Sequence, residues 1–215
     1  MIAESSYRKE LKGLYAITDE NLISEENFEQ SIKLALQGGC QIIQYRDKSN
    51  NHNRRLRQAT LLRTLCTQYH ATCIINDDIE LALTVHADGV HLGRDDVSIS
   101  QARKKLGENS IIGISCYNDL NLAIEAEKNR ADYVAFGAMF SSPTKPEASN
   151  ASPQLIASAK KQLSTPVCAI GGITEKNIVQ VIDQGADMAA VISSLFASDN
   201  IKNTATILCQ HFDQH

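Results

Sequence analysis

Several things are missing from this chain of 215 residues, and each absence narrows what it can be. No run of 18 or more apolar residues occurs, so no segment has the length of a membrane-spanning helix. The opening residues, MIAESSYRKELKG, are polar and carry Glu4 and Glu10, without the apolar centre of a secretion signal. The expected address is therefore the cytoplasm. There is no basic block and no basic–aromatic patch. With 21 Lys and Arg against 25 Asp and Glu the net charge is −4, which points away from nucleic acid. An anion site in such a chain has to be assembled locally. None of the 6 cysteines stands in a Cys-x-x-Cys spacing, and most lie in apolar runs, so they read as small buried hydrophobes. No linker, low-complexity segment or break in composition divides the chain.

What is present is alternation. Short β-branched runs predict strands over Leu14–Thr18, Ile42–Arg46, Cys73–Asn76, Gly89–Leu92, Ile111–Ser115, Tyr133–Gly137, Val167–Ile170 and Ala189–Ser193. Helical patterns fill the intervals. Ser24 offers an N-cap with Glu25 and Glu26 in the first turn, a stripe of Phe28, Ile32, Ala35 and Leu36 follows, and Gly38-Gly39 ends it. Ser152-Pro153 is a cap followed by proline at the first helical position. Thr174 precedes Ile178, Val181 and Ile182, and the last helix shows Ile201, Ala205, Leu208 and Phe212. Near-continuous apolar strands, each followed by an amphipathic helix, imply a parallel sheet covered by helices. Eight such units predict an α/β fold of the (β/α)8 TIM-barrel kind, a single domain over residues 1–215. The alternative is a doubly wound open sheet. Against it, no glycine-rich dinucleotide fingerprint follows the first strand, which ends in Ile17-Thr18-Asp19.

Barrel chemistry sits at the C-terminal ends of the strands. Gln44, Arg46 and Lys48 alternate with Tyr45 and Asp47, so three donors share one side. They suit phosphate oxygens, or they end a strand in an ordinary surface Arg–Asp pair. Asp77 and Asp96 close two consecutive strands. They read as ligands of one hard cation, Mg²⁺ rather than Zn²⁺ or Ca²⁺, or as helix caps, Asp77 or Asp78 before Ile79 and Asp96 before Ser98. His91 has no second His or Cys in its loop and reads as a packed or hydrogen-bonded histidine at the mouth. Gly171-Gly172 and Ser193-Ser194 end neighbouring strands where barrels often bind phosphate, although glycines also simply make turns.

Six motifs in order, each at a different strand end, give the sequence a close resemblance to the thiamine-phosphate synthase family. They are Gln44-x-Arg46-x-Lys48, Ile75-Asn76-Asp77, His91-Leu-Gly-x-x-Asp96, Gly113-x-Ser115, Ser142-x-Thr144-Lys145 and Ala169-Ile-Gly-Gly-Ile173. The likeness runs from Gly13 to Ser194 and implies a reaction. A hydroxymethylpyrimidine diphosphate loses pyrophosphate, and the nitrogen of a thiazole phosphate, carboxylated or not, takes its place. The resemblance implies that Asp77 and Asp96 hold Mg²⁺. It assigns Gln44, Arg46, Lys48, Asn76, Ser115 and Lys145 to the pyrimidine and its diphosphate. Ser142, Thr144, Gly172, Ile192 and Ser193 fall to the thiazole phosphate. Arg46, Lys48 and Lys145 would act electrostatically, with no protein nucleophile or general base, and no Ser–His or Cys–His arrangement is visible in the sequence to supply one. Ser142 replaces the family's more frequent Thr and keeps its hydroxyl. Arg94-Asp95 replaces a frequent Gln-Glu, with Asp96 kept. A tautomerase-like relative should lack the metal and diphosphate set, whereas a precursor-binding sensor could keep it. Small-molecule partners are expected, and a homo-oligomer is left open.

Overall fold

The structure, a computed structural model, describes residues 10–141 and 151–214. Its strands are β1 (Gly13–Ile17), β2 (Ile42–Tyr45), β3 (Thr72–Asn76), β4 (Gly89–Leu92), β5 (Ile111–Tyr117), β6 (Tyr133–Phe136), β7 (Val167–Ile170) and β8 (Met188–Val191). They pair in parallel in chain order, and β8 closes on β1 with Leu14 opposite Ala189. That closure excludes the open sheet. The connecting helices are α1 (Phe28–Gln37), α2 (His52–Gln68), α3 (Ile79–Thr84), α4 (Ile99–Leu106), α5 (Leu120–Lys128), α6 (Pro153–Lys160) and α7 (Ile178–Ile182). After β8 come α8 (Ser193–Phe196) and α9 (Ile201–Asp213). None of these is long and apolar enough to cross a membrane.

The strands read as continuously apolar because both of their faces are buried. Leu14, Ala16, Ile43, Ile75, Val90 and Val134 point outward into a core shared with the helices. Tyr15, Ile42, Ile74, Tyr133 and Met188 point inward and fill the barrel. The expected stripe of α1 is buried at Phe28, Ile32, Ala35 and Leu36. Ser152 caps α6 through the Gln154 N–H, with Pro153 at the first position. All six cysteines are free, five of them buried.

Some boundaries move. Ser24 does not cap α1; it heads a turn, accepting from the Asn27 N–H at 3.4 Å, and the helix begins at Phe28. Thr174 likewise opens a turn whose N–H bonds the Asn177 side chain, and α7 starts at Ile178. In both places a closed four-residue turn satisfies the local donors before helical hydrogen bonding takes over. β8 stops at Val191, because Ser193 already belongs to α8. β5 extends to Tyr117 past a register shift after Ser115.

The N-terminal rim carries a device repeated three times. A residue with left-handed backbone ends the helix: His86 (φ 53°), Arg130 (φ 68°) or Gly185 (φ 91°). An alanine and an aspartate follow. Asp88 Oδ2 accepts the Cys73 N–H at 2.8 Å, Asp132 Oδ2 that of Ile112 at 2.8 Å, and Asp187 Oδ2 that of Val167 at 2.7 Å. Each carboxylate also meets a cation from a helix: Arg63 at 3.1 Å, Arg103 at 2.7 Å and Lys160 at 2.7 Å. Each thus ties β4, β6 or β8 to the strand before it and to a covering helix. Arg103 and Asp132 are the most buried of these pairs, with side chains 11% and 10% exposed. Removing one partner there leaves a buried charge and a strand N–H unmet. Asp132→Ala should therefore cost about 3–5 kcal/mol in chemical denaturation. Asp88→Ala, with a more exposed partner, should cost less.

Candidate active site

The C-terminal strand ends surround a cavity of about 730 Å³, within the range of roughly 300–1,000 Å³ usual for small-molecule sites. Its apolar lining includes Ile17, Ala135, Cys168, Ile170 and Ala190, all from the inward face. Gln44, Arg46, Asn76 and Ser115 line it from β2 to β5, and Gly172, Ile192 and Ser193 from β7 and β8. Seven of the expected site residues therefore share one space.

The alternation after β2 holds. Tyr45 and Asp47 face outward, where the Tyr45 hydroxyl donates to Gln58 at 3.0 Å and Asp47 pairs with Arg54 at 2.8 Å. Gln44 is buried inside the barrel. Arg46 lines the cavity, its backbone clamped by Thr18, whose hydroxyl accepts from the Arg46 N–H at 2.8 Å and donates to the Arg46 carbonyl at 3.0 Å. Its guanidinium lies 3.7 Å from Asp19 and 4.0 Å from Glu20. The Arg–Asp pair thus exists, but at the cavity wall. Lys48 is exposed and outside that wall, with Nζ 2.5 Å from Asp77 Oδ2.

Neither Asp77 nor Asp96 caps a helix. Asp78, not Asp77, caps α3 through the Leu81 N–H at 2.9 Å. Asp77 is left at the mouth with left-handed backbone (φ 61°), its Oδ2 accepting from Asn76 Nδ2 at 2.6 Å. Ser98 caps α4 in a capping box with Gln101, so Asp96 is spared as well. Its Oδ2 accepts from the Gly93 N–H at 2.7 Å. Burial, and then the Asp77 carboxylate beside it, raise the Asp96 carboxyl above its ordinary range. Two crowded carboxylates at an open mouth fit a hard divalent cation. Among the described residues no group of three or more His, Cys, Asp and Glu forms a metal cluster. A cation there would keep positions for water and phosphate, as Mg²⁺ does.

On the opposite side, Gly171 (φ 101°) and Gly172 (φ 64°) adopt backbone that suits glycine. A Cβ on Gly171 would collide with Ala138, and one on Gly172 with the carbonyls of Phe140 and Ser141. The pair makes the turn and also lets the backbone reach the cavity. Ser193 opens α8 beside it.

Inside the barrel runs a chain of hydrogen bonds. Gln44 Nε2 donates to the Tyr15 hydroxyl at 2.7 Å, and Tyr15 and Tyr133 meet at 2.7 Å. The Tyr133 hydroxyl lies 2.9 Å from His91 Nδ1, and His91 Nε2 lies 2.9 Å from Ser115 Oγ. His91 is thus the hydrogen-bonded histidine expected, but its contact with Ser115 is a Ser–His pair that the sequence did not lead one to expect, since the two stand on separate strands. Burial holds its pKa down to about 4, against a smaller upward pull from Asp77, so the ring is neutral at neutral pH.

Residues 14–195 match the family described as thiamine monophosphate synthase. The chain belongs to that family. A thiamine-phosphate synthase from Nitrosococcus oceani is 53% identical over 202 residues, covering 94% of this chain and 93% of the relative. One from Thioalkalivibrio sulfidiphilus is 46% identical over 94% of this chain and 96% of its own. Among solved structures, a thiamine phosphate pyrophosphorylase from Pyrococcus furiosus superposes with a TM-score of 0.87 at 34% identity, covering 96% of this chain and 98% of that one. As a member of this family the protein is an enzyme, a transferase.

Of the family residues expected from the sequence, Ser142, Thr144 and Lys145 lie outside the described residues. Tyr15, Tyr133 and the cavity's apolar lining were missed. Their only signal is inward placement at every second strand position, which the sequence shares with ordinary core. Arg94, where the sequence departs from the family's frequent Gln, stacks over the Tyr117 ring at 4.7 Å and leaves the Asp96 contact to Gly93 intact.

The depressed His91 pKa makes a prediction about stability. The unfolded chain binds a proton near pH 6.5, the folded one only near pH 4, so His91 contributes stability above pH 6.5 that is lost as pH falls toward 4. In denaturant melts, parent stability should fall by up to about 1.4 kcal/mol per pH unit across that window from this group. The His91→Gln variant should show a shallower slope over the same range.

Proposed function

We propose that the protein is a thiamine-phosphate synthase. It joins 4-amino-2-methyl-5-(diphosphomethyl)pyrimidine to a 4-methyl-5-(2-phosphoethyl)thiazole, carboxylated or not, and releases pyrophosphate, using Mg²⁺ and one barrel domain comprising the whole chain. The observation that carries this reading is the two-sided mouth. Arg46 and Asn76 line one side of an apolar-lined cavity, with Asp77 bonded to Asn76 and to Lys48 just outside the wall, and Gly172, Ile192 and Ser193 line the other.

The chemistry needs little from the protein beyond placement and charge. The C–O bond to pyrophosphate breaks, the oxygen leaves with the electron pair, and the thiazole nitrogen lone pair forms the new C–N bond at the same methylene carbon. The electron-rich aminopyrimidine tolerates positive charge at that carbon, so the displacement is dissociative. A cation held by Asp77 and Asp96 would neutralise charge on the departing diphosphate. Arg46 offers a planar fork and Lys48 a point charge to the same oxygens, and both act more strongly as charge builds on them. Lys145 joins them from the sequence motif. Gln44, Asn76 and Ser115 supply polar contacts to the pyrimidine and its diphosphate. Ile17, Ala135, Ile170 and Ala190 keep water from the electrophilic carbon. Gly172, Ile192 and Ser193, with Ser142 and Thr144 of the motif, hold the thiazole phosphate.

The deciding experiment incubates the purified protein with both substrates and Mg²⁺ and measures thiamine phosphate and pyrophosphate. Absence of both products would sink the enzyme reading and leave a precursor-binding protein. Asp77→Ala and Asp96→Ala should weaken the Mg²⁺ dependence of turnover while melting temperatures hold; an unchanged Mg²⁺ titration in both would remove them as ligands. Arg46→Ala should cost on the order of 2–4 kcal/mol of transition-state stabilisation, read from kcat/KM.

A further inference from the structure

We infer that the buried chain Gln44–Tyr15–Tyr133–His91–Ser115 is polarised in one direction and turns the Ser115 hydroxyl proton outward, toward the pyrimidine diphosphate. Tyr15, Tyr133 and His91 are thereby positioning residues. The polarity stands on the hydrogen-bond geometry alone; its service to catalysis rests on the condensation reading above.

The direction follows from counting protons. The amide nitrogen of Gln44 only donates, and at 2.7 Å the Tyr15 oxygen accepts. Tyr15 is 1% exposed, so its single proton must find an acceptor inside the barrel, and the Tyr133 oxygen at 2.7 Å is the one it meets. Tyr133 is fully buried too, and its proton goes on to His91 Nδ1 at 2.9 Å. A ring nitrogen that accepts carries no hydrogen, so the hydrogen of the neutral ring is on Nε2. From there it donates to Ser115 Oγ at 2.9 Å. Ser115 lines the cavity, and with its oxygen already accepting from the ring its own proton is left to donate there.

The reverse order fails at its far end. If Ser115 donated into the ring, Nδ1–H would donate to Tyr133 and Tyr133 to Tyr15. That order would need the Gln44 amide turned over, with Oε1 accepting from Tyr15; with Nε2 toward Tyr15, as in the structure, the Tyr15 oxygen would face two donors and its own proton would have no partner in the chain. A buried polar group without a partner costs about 1–3 kcal/mol, enough to decide the direction.

The rings are also fixed in place. Tyr133 stacks on His91 with centroids 5.5 Å apart and meets Tyr15 edge-on at 5.9 Å. Gly113 makes the room: a Cβ there would lie within the Tyr133 ring. The motif Gly113-x-Ser115 therefore places on one strand face both the gap that seats Tyr133 and the hydroxyl at the end of its chain.

The test reads the tautomer first. In ¹⁵N-histidine-labelled protein at pH 7.5 without substrates, long-range nitrogen–proton NMR should show His91 protonated at Nε2 and bare at Nδ1. The resonance is assigned by its loss in His91→Gln. A ring protonated at Nδ1, or at both nitrogens, overturns the polarity. Tyr133→Phe should bring in the Nδ1–H tautomer and lower kcat about tenfold to a hundredfold, the loss seen when outer partners of metal-bound histidines are removed. KM should change little. In a Ser115→Ala background the same change should lower kcat less than twofold further, because there is no hydroxyl left to turn. An equal loss in both backgrounds would make Tyr133 merely structural and overturn the positioning role. An inactive parent counts against the condensation reading, while the tautomer still decides the polarity.

Discussion

Eight parallel strands that close on themselves enclose a cylinder of limited width, and every second side chain must fit inside it. The rest of the structure depends on how that interior is filled. Large residues (Ile42, Ile74, Met188, Tyr15 and Tyr133) pack its middle and lower part. Smaller ones, Ala135, Cys168 and Ala190, line the cavity together with Ile17 and Ile170. Two tyrosines can sit in such a core only if their hydroxyls are met, which ties Gln44, His91 and Ser115 into one hydrogen-bonded line.

The two ends of the barrel use the same charged residue types to different effect. At the N-terminal rim, aspartates 88, 132 and 187 each bond a strand N–H and a helix-borne cation at short range, so strand pairing depends on them. At the C-terminal mouth the contacts are looser or more exposed. Arg46 stands 3.7 Å from Asp19, and Lys48 is more than half exposed where it meets Asp77. Charges paired in that way give up little when an anion or a divalent cation arrives. A net-acidic chain can thus keep its cations at one opening without destabilising the fold.

Much of the fold was legible. Strand positions, the stripe of α1, the Ser152-Pro153 start and the free cysteines all follow from local pattern, since burial on both faces and helix periodicity are written within a few residues. Helix starts at Ser24 and Thr174 were not, because a turn and a first helical turn have nearly the same composition. The candidate site was legible as a set of strand ends. Its division of labour was not: Asp77 and Asp78 are neighbours of one residue type, and only the backbone shows which caps α3 and which faces the mouth.

The sequence by itself determined the alternation of strand and helix, the order of the strands and the chemistry available at their ends, because each depends on neighbours along the chain. Which inward side chains touch was decided by tertiary structure alone. Tyr15 and Tyr133 are 118 residues apart, and they meet only because barrel closure and strand stagger bring β1 and β6 to the same height across the interior. That stagger is a property of all eight strands together, so no local pattern encodes the contact, or the line from Gln44 to Ser115 that runs through it.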